Sequence, residues 1–265
     1  MMQQAVHLGL MGAAVVVAMM FGLWLIHLLI RNAAIVDVGW AAGLGVLALY
    51  YAVAGPGYSA RKWLIAWMAG FWGLRLAAYL LLTRVWGYPE EGRYVQLRKE
   101  WKNNLALRFL FFFEFQALLV AVLSLPFLLA CLDTNVPLGF LEKLAAGIWL
   151  VGMVGEAVAD HQLSAFKKNP ENHGKTCRAG LWKYSRHPNY FFDWLVWVAF
   201  AVFALASPWG WLGAISPALM LYFLLGDTGI PATEAQAVRS RGNEYREYQR
   251  TTSTFIPWFP KKERA

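Results

Sequence analysis

The stretch Gly180-Leu-Trp-Lys-Tyr-Ser-Arg-His-Pro-Asn-Tyr-Phe-Phe-Asp-Trp194 places a polar block directly before an apolar segment of helical length. The block contains Arg186, His187 and Asn189, and Asp193 follows inside the first turns of the apolar segment. Ionisable groups at membrane depth are costly to bury and usually mark a functional site. The stretch therefore predicts a ligand pocket where a membrane helix begins.

Apolar runs on both sides of this stretch predict the fold. They cover residues 5–30, 33–54, 63–83, 105–131, 136–159, 189–206 and 209–225. Most reach the roughly 20 residues that cross a bilayer. The chain is 58% hydrophobic and only 15% charged, whereas about a quarter of the residues of a soluble domain are charged. We expect an all-α, polytopic integral membrane protein with seven transmembrane helices that form one domain, residues 1–265.

The distribution of Lys and Arg predicts the orientation. Of the 24 basic residues, 20 lie in segments that face one side if the N-terminus is outside. The positive-inside rule makes that side cytoplasmic. We therefore expect cytoplasmic loops at about 84–104 and 160–189 and a cytoplasmic tail at about 228–265. The predicted basic surface is cytoplasmic and attracts anionic lipids of the bilayer, and we expect no nucleic acid partner because no soluble domain presents a groove.

Polar side chains within the helices gather in the cytoplasmic half. They are Asp37, Arg75, Glu114, Glu156, Asp160, Asp193 and Asp227. Arg75 could simply neutralise Asp37, and Glu114 could be structural. The whole set, however, indicates a water-accessible or ligand-filled cavity that opens to the cytoplasm.

Two cytoplasmic blocks, residues 84–98 and 160–193, are rich in Arg, Lys, Asn and Tyr. These side chains donate hydrogen bonds to anionic ligands, and Arg suits bidentate contact with phosphate. Neither block contains a glycine-rich nucleotide loop after a strand, so a soluble nucleotide-binding fold is excluded. His161, His173 and His187 match no compact metal-ligand spacing, and we expect no metal.

The chain resembles the steroid 5-alpha-reductase family, and in particular its bacterial members. The resemblance rests on Gly180–Tyr190, on the preceding Glu-Ala-Val-Ala-Asp-His, and on the tail that begins at Tyr245 and ends in Phe-Ile-Pro-Trp. It implies seven helices, NADPH bound from the cytoplasmic side, and reduction of the C4–C5 double bond of 3-oxo-4-ene steroids. It also implies a lipophilic, steroid-like substrate and a location in the bacterial inner membrane.

The resemblance also assigns cofactor positions. Asp160 and Glu156 take the place of acidic and amide positions at the end of the fifth helix, Lys167 and Lys175 take phosphate-contacting positions, and Asn189 takes the Asn at the sixth helix. The full set of expected NADPH contacts is Arg84, Arg93, Tyr94, Arg98, Glu156, Asp160, Lys167, Lys175, Tyr184, Arg186, His187, Asn189, Asp193, Glu234, Tyr245 and Arg250.

For catalysis, the family uses an acid in the second helix and a Tyr three residues before an Arg in the third. Asp37 takes the first position, and Trp72, three residues before Arg75, takes the second. An indole N–H donates a hydrogen bond but does not give up its proton. Either Asp37 alone supplies the acid, or a Tyr such as Tyr79, Tyr88 or Tyr94 does, with Tyr88 included among the expected catalytic residues.

The leading hypothesis is therefore an NADPH-dependent reductase of a lipophilic enone. The alternative is an S-adenosylmethionine-dependent membrane methyltransferase of the isoprenylcysteine or phospholipid type. Those enzymes have a similar Arg-His-Pro-x-Tyr segment and a Glu before a Tyr-rich tail, here Glu234 and Tyr245. A membrane protein without enzymatic activity is the third hypothesis.

Overall fold

The computed structural model describes residues 2–226 and 229–261, which form helices and turns without a β-strand. The helices are α1 (Met2–Ile30), α2 (Ile35–Ala54), α3 (Ser59–Leu80), α4 (Gly92–Trp101), α5 (Leu105–Leu123), α6 (Leu125–Leu132), α7 (Phe140–Lys168), α8 (Pro188–Ala204), α9 (Ile215–Leu225), α10 (Ile230–Arg241) and α11 (Asn243–Thr251). The predicted all-α class is confirmed. Asp227, expected at the end of the last membrane helix, lies outside the described residues.

Within residues 2–226 and 229–261, five candidate spans are long and apolar enough to cross a membrane. They are Met2–Ile30, Ile35–Ala54, Ser59–Val85, Leu105–Leu123 and the stretch Gly210–Arg241, which contains α9 and α10. Two further predicted spans correspond to α7, whose apolar stretch includes Glu156 and Asp160, and to α8, which has only 17 residues. The count of seven and the orientation stay predictions.

Large apolar side chains cover the outside of these helices. Leu29 of α1 is 82% exposed and Leu74 of α3 is 72% exposed. Such a continuous apolar surface is unfavourable in water and favourable against lipid tails. The helices are therefore consistent with an integral membrane protein.

Residue contacts divide the chain into two compact units. Unit 1 comprises residues 1–143 and 201–216, and unit 2 comprises residues 144–200 and 217–265. The expectation of a single domain stays a prediction.

In unit 1, α2 and α3 pack closely because small residues line their contact. A Cβ on Gly73 of α3 would lie 2.6 Å from the carbonyl oxygen of Ala41 in α2. Small residues let membrane helices approach in this way. At one end of unit 1, the buried Arg61 forms ion pairs with Asp133 (3.3 Å) and Glu142 (2.7 Å). This network joins α3, the start of α7 and the segment between α6 and α7.

In unit 2, the C-terminal tail folds back onto the polar block at the start of α8. The indole N–H of Trp182 donates to the carbonyl oxygen of Ala159 in α7 (2.9 Å). The Tyr248 hydroxyl of α11 lies against the carbonyl oxygens of Trp182 and Ser185. The backbone N–H of Arg186 donates to the carbonyl oxygen of Ser253 (2.8 Å). The tail thus fixes the segment that the sequence singled out.

Candidate functional sites

Asp37, Arg93 and Tyr94 form a polar cluster in unit 1. Arg93 donates from Nη2 to Asp37 Oδ2, and the Tyr94 hydroxyl donates to Asp37 Oδ1 at 2.9 Å. The Arg93 guanidinium also lies 4.6 Å from the centre of the Tyr94 ring, which suits a cation–π contact. Burial and the negative charge of Asp37 raise the pKa of Tyr94 well above its usual value. The phenol therefore stays protonated.

The other arginines of the 84–98 block also pair with acids inside unit 1. Arg84 pairs with Glu91 at 3.2 Å and Arg98 with Glu90 at 2.6 Å, while Arg93 Nε lies 3.6 Å from Glu91. Much of the block's positive charge is thus neutralised within unit 1.

The two remaining residues predicted for catalysis lie in different surroundings. Trp72 is fully buried in α3, and its ring meets Trp40 edge-on at 6.0 Å. The Tyr88 side chain is 56% exposed, and its carbonyl oxygen accepts a hydrogen bond from Asn32 Nδ2. Of the tyrosines considered from the sequence, Tyr94 is the one whose hydroxyl reaches Asp37.

In unit 2, Arg186 and Glu234 form the centre of a second polar cluster. Arg186 donates from Nε and Nη2 to the Glu234 carboxylate, at 2.6 and 3.2 Å. Gln249 Nε2 (2.7 Å) and His187 Nε2 (3.2 Å) also contact this carboxylate. Arg186 further donates to the carbonyl oxygens of Gln249 and Thr252. Arg186 and Glu234 therefore satisfy each other and hold the tail against the start of α8.

A cavity of about 180 Å³ lies beside this cluster, entirely within unit 2. We call it the α8 cavity. It is lined by Leu163, Lys167, Thr176, Cys177, Trp182, Arg186, His187, Asn189, Tyr190, Thr233, Ala237, Arg241, Tyr245 and Tyr248. Neither Lys167 nor Arg241 forms an ion pair with a carboxylate among the described residues. Two cations thus remain available to a ligand.

Two buried oxygen atoms belong to residues that line the α8 cavity. Asn189 donates from Nδ2 to Asp160 (3.1 Å), but its Oδ1 atom has no hydrogen-bond partner among the described residues. The Thr176 Oγ1 atom likewise lacks a partner within the described part of the chain. A buried polar atom without a partner is costly, and a hydrogen bond from a ligand in the cavity would remove that cost.

Two tyrosines and one thiol that line the α8 cavity are held in their protonated, neutral forms. Burial, together with the nearby Glu234, raises the pKa of Tyr245 to about 12. Burial raises the pKa of Tyr248 as well, and that of the Cys177 thiol. Lys167 partly opposes the shift at Cys177. The cavity thus combines neutral walls with two cations.

Several predicted cofactor contacts of unit 2 line the α8 cavity, and others do not. Lys167, Arg186, His187, Asn189 and Tyr245 line it, and Asp160 supports Asn189. The members outside its lining are the buried Glu156, the half-buried Tyr184 and Asp193, the exposed Lys175 and Arg250, and Glu234, which acts through Arg186.

Sequence reasoning missed Arg241 and Thr176. In the sequence, Arg241 is one of the basic residues of the predicted cytoplasmic tail. The four-residue spacing of Thr233, Ala237 and Arg241, which places them on one helix face, is the signal that could have identified it. Thr176 carried no signal. Among the described residues there is no group of three or more His, Cys, Asp or Glu side chains arranged to hold a metal ion.

Comparisons with known proteins place the chain in a family. Residues 23–252 match the family described as "Protein of unknown function (DUF1295)". The chain is 27% identical over 228 residues to the uncharacterized protein C594.04c of Schizosaccharomyces pombe, an alignment that covers 73% of this chain and 66% of that protein. It is 36% identical over 97 residues to the probable O-methyltransferase ustE of Ustilaginoidea virens, covering 34% of this chain and 31% of that protein.

Both alignments span less than two thirds of the relative's own length. No solved structure matches the chain. The family match covers most of the sequence, from the end of α1 to the end of α11. The chain therefore belongs to the DUF1295 family.

Proposed function

We propose that this protein is an NADPH-dependent reductase of a lipophilic enone, such as the C4–C5 double bond of a 3-oxo-4-ene steroid. The observation that carries the proposal is the α8 cavity, where Lys167 and Arg241 lack ion-pair partners among the described residues and Asn189 Oδ1 lacks a donor. A ligand with both phosphate groups and N–H donors would satisfy all three groups.

NADPH has these features, since it carries a pyrophosphate, a further phosphate and a carboxamide. S-adenosylmethionine carries a sulfonium, an ammonium and one carboxylate, so two uncompensated cations suit it less well. At about 180 Å³ the cavity is smaller than the roughly 300–1,000 Å³ of drug-sized ligand sites. It would therefore enclose only one part of the dinucleotide.

The polar cluster of unit 1, taken by itself, contains a donor of the kind that reduction of an enone needs. When bound, NADPH supplies the hydride for the β-carbon of the enone. Negative charge then develops on the carbonyl oxygen, and one positioned donor stabilises such charge by about 3–4 kcal/mol in a dry site. This donor has to come from a group that a substrate can reach and that has N–H or O–H bonds not used within the protein.

Arg93 fits this role better than Asp37 does. Arg93 and Tyr94 each donate a hydrogen bond to Asp37, so both of its carboxyl oxygens are already engaged. The Arg93 side chain is 53% exposed and has further N–H groups. In this proposal Arg93 stabilises the developing oxyanion, Asp37 and Tyr94 hold the guanidinium in place, and water protonates the α-carbon.

The first test compares ligands on the purified protein in detergent. A ligand present at 100 times its Kd stabilises the folded state by about 2.7 kcal/mol. We expect NADPH to raise the unfolding temperature, and NADH and S-adenosylmethionine to raise it less. A larger shift with S-adenosylmethionine, or no shift with any of the three, contradicts the proposal.

The second test measures NADPH-dependent loss of a 3-oxo-4-ene steroid by the Arg93→Gln and Arg93→Lys variants. We expect Arg93→Gln to lower kcat by roughly 100-fold, the usual loss for one oxyanion donor, with an unchanged Kd for NADPH. Arg93→Lys keeps the charge and should recover part of the rate. Full activity of Arg93→Gln would show that a group other than Arg93 stabilises the developing oxyanion.

A methyltransferase is the second candidate, and one observation favours it. The relative in Ustilaginoidea virens is named a probable O-methyltransferase. The Arg186–Glu234–His187 cluster joins the Arg-His-Pro-x-Tyr segment to the Glu before the Tyr-rich tail, and both features occur in membrane methyltransferases. Transfer of a labelled methyl group from S-adenosylmethionine to a lipid extract, absent in the Glu234→Gln variant, would support this candidate over the reductase.

A further inference from the structure

The two faces of α10 border two different cavities, both within unit 2. Thr233, Ala237 and Arg241 face the α8 cavity. Ala235, Val238 and Arg239 line a second, more open cavity of about 570 Å³. We call this second cavity the tail groove. Its volume lies within the range typical of small-molecule sites, and nothing in the proposed reaction uses it.

The exposed wall of the tail groove is apolar. Leu225, the last residue of α9, is 49% exposed, and Pro231 and Ala235 are exposed beside it. Apart from Arg239, the polar side chains that line the groove already have partners, and Arg186 and Glu234 pair with each other. Gln249 donates to Glu234 (2.7 Å), and the Thr254 hydroxyl accepts from Arg186 (2.8 Å). A ligand in the groove therefore meets apolar carbon over most of its length.

Arg239 adds a positive charge to this wall. Its side chain is exposed and forms no ion pair with a carboxylate in the described part of the chain. An apolar surface next to an unpaired cation suits an amphiphile with an anionic head. A neutral lipid would leave the guanidinium uncompensated, and a nucleotide would leave the apolar wall uncovered.

The position along the chain agrees with a lipid ligand. The groove lies where the apolar α9 ends and the basic C-terminal segment begins. Basic residues directly after a membrane helix attract anionic lipid headgroups. Both the chemistry and the position thus point to the membrane itself as the source of the ligand.

We infer that the tail groove binds an anionic glycerophospholipid, with the phosphate on Arg239 and an acyl chain along Leu225, Pro231 and Val238. The tail groove shares Arg186 with the lining of the α8 cavity but lies along the other face of α10, and the inference does not depend on the proposed reaction.

The experiment measures lipid binding to the full-length protein in detergent by native mass spectrometry. Phosphatidylglycerol is titrated against phosphatidylcholine with the same acyl chains. Arg239→Gln removes the charge, and Arg246→Gln, an exposed arginine of α11 outside the groove, is its control. Ala235→Trp fills the groove, and Ala232→Trp, also exposed on α10 but outside the groove, is its control.

We expect Arg239→Gln to weaken phosphatidylglycerol binding about fivefold, since one basic residue near a membrane surface contributes about 1 kcal/mol. Ala235→Trp should weaken both lipids, while the two controls bind like the wild type. An equal loss of phosphatidylglycerol binding in Arg246→Gln would mean that any exposed arginine attracts the anionic lipid, and would overturn the site. Displacement of the lipid by inorganic phosphate alone, or loss of NADPH binding in Arg239→Gln and Ala235→Trp, would also overturn it.

Discussion

The 84–98 block and the α8 cavity are both rich in basic residues, but their charges are used in different ways. In the block, Arg84, Arg93 and Arg98 each pair with an acid of unit 1. Around the cavity, Arg186 pairs with Glu234, whereas Lys167 and Arg241 have no carboxylate partner among the described residues. Positive charge in a sequence therefore does not by itself identify an anion site. Unpaired positive charge beside unsatisfied buried atoms is the stronger indicator.

The largest expected effect comes from the paired arginine of unit 2. Arg186→Gln leaves Glu234 without its guanidinium partner and removes the bonds to the tail. Breaking a buried ion pair by removing one partner costs about 3–5 kcal/mol. Arg178→Gln is the control, because its pair with Glu247 is 35–40% exposed, and exposed pairs contribute about 0–1 kcal/mol. Unfolding midpoints in detergent measure both. Equal losses would contradict the structural role of Arg186.

The next effect tests the unpaired cations. Lys167→Gln and Arg241→Gln should each weaken NADPH binding by about 10- to 100-fold, because a hydrogen bond to a charged group contributes about 1.5–3 kcal/mol. Stability without ligand should hardly change in Lys167→Gln and should fall by no more than about 1 kcal/mol in Arg241→Gln, which loses the cation–π contact with the Tyr245 ring at 5.2 Å. Nucleotide fluorescence titration gives the Kd, with Arg246→Gln as control. Unchanged affinity in both variants would remove the α8 cavity from the cofactor site.

A smaller effect is expected in the 84–98 block. Arg84 and Glu91 are 41% and 36% exposed, so Arg84→Gln should cost no more than about 1 kcal/mol of stability. If the charge of Arg84 is already used by Glu91, the Kd for NADPH should change far less than in Lys167→Gln. The same titration measures it. A loss of NADPH affinity as large as that of Lys167→Gln would show that the block contacts the cofactor, as the family resemblance implies. It would contradict the difference drawn between the 84–98 block and the α8 cavity.

The smallest effect concerns the Cys177 thiol beside Lys167. Burial raises the pKa of Cys177, and Lys167 partly lowers it again. The thiolate is the reactive form, so alkylation should be slow near neutral pH and accelerate only above the usual thiol pKa. Lys167→Gln removes the positive charge that lowers the pKa of Cys177, so the rise of the alkylation rate should shift to higher pH. Mass spectrometry of the Cys177 peptide follows the rate. A shift to lower pH would mean that Lys167 does not act on this thiol.

The raised pKa of Cys177 also makes the free energy of unfolding depend on pH. The folded state keeps Cys177 protonated to higher pH than the unfolded chain does, so unfolded protein binds fewer protons above the usual thiol pKa. This contribution is complete below that pKa and is lost as the pH rises toward the folded value. Replacement by Ser should therefore flatten the loss of stability at alkaline pH.

The sequence predicted much of the fold because membrane helices are set by local composition. Runs of about 20 apolar residues have few alternatives in a bilayer, and α1, α2 and α3 lie close to the runs that predicted them. The run at 105–131 divides at Ser124 into α5 and α6, because Pro126 begins a new helix. The runs at 136–159 and 189–206 were less clear, because acidic residues interrupt α7 and α8 is short. The polar block at 180–194 likewise proved to border a cavity, since Arg186, His187 and Asn189 line it.

The sequence by itself determined the all-α class and the apolar helices, because each follows from neighbours along the chain. Only the tertiary structure decided which charges are paired. Asp37 meets Arg93 and Arg186 meets Glu234 across separations of 56 and 48 residues. Packing of helices sets those distances, and residue types do not specify them. The same packing leaves Lys167 and Arg241 beside the unsatisfied Asn189, where the proposed cofactor would bind.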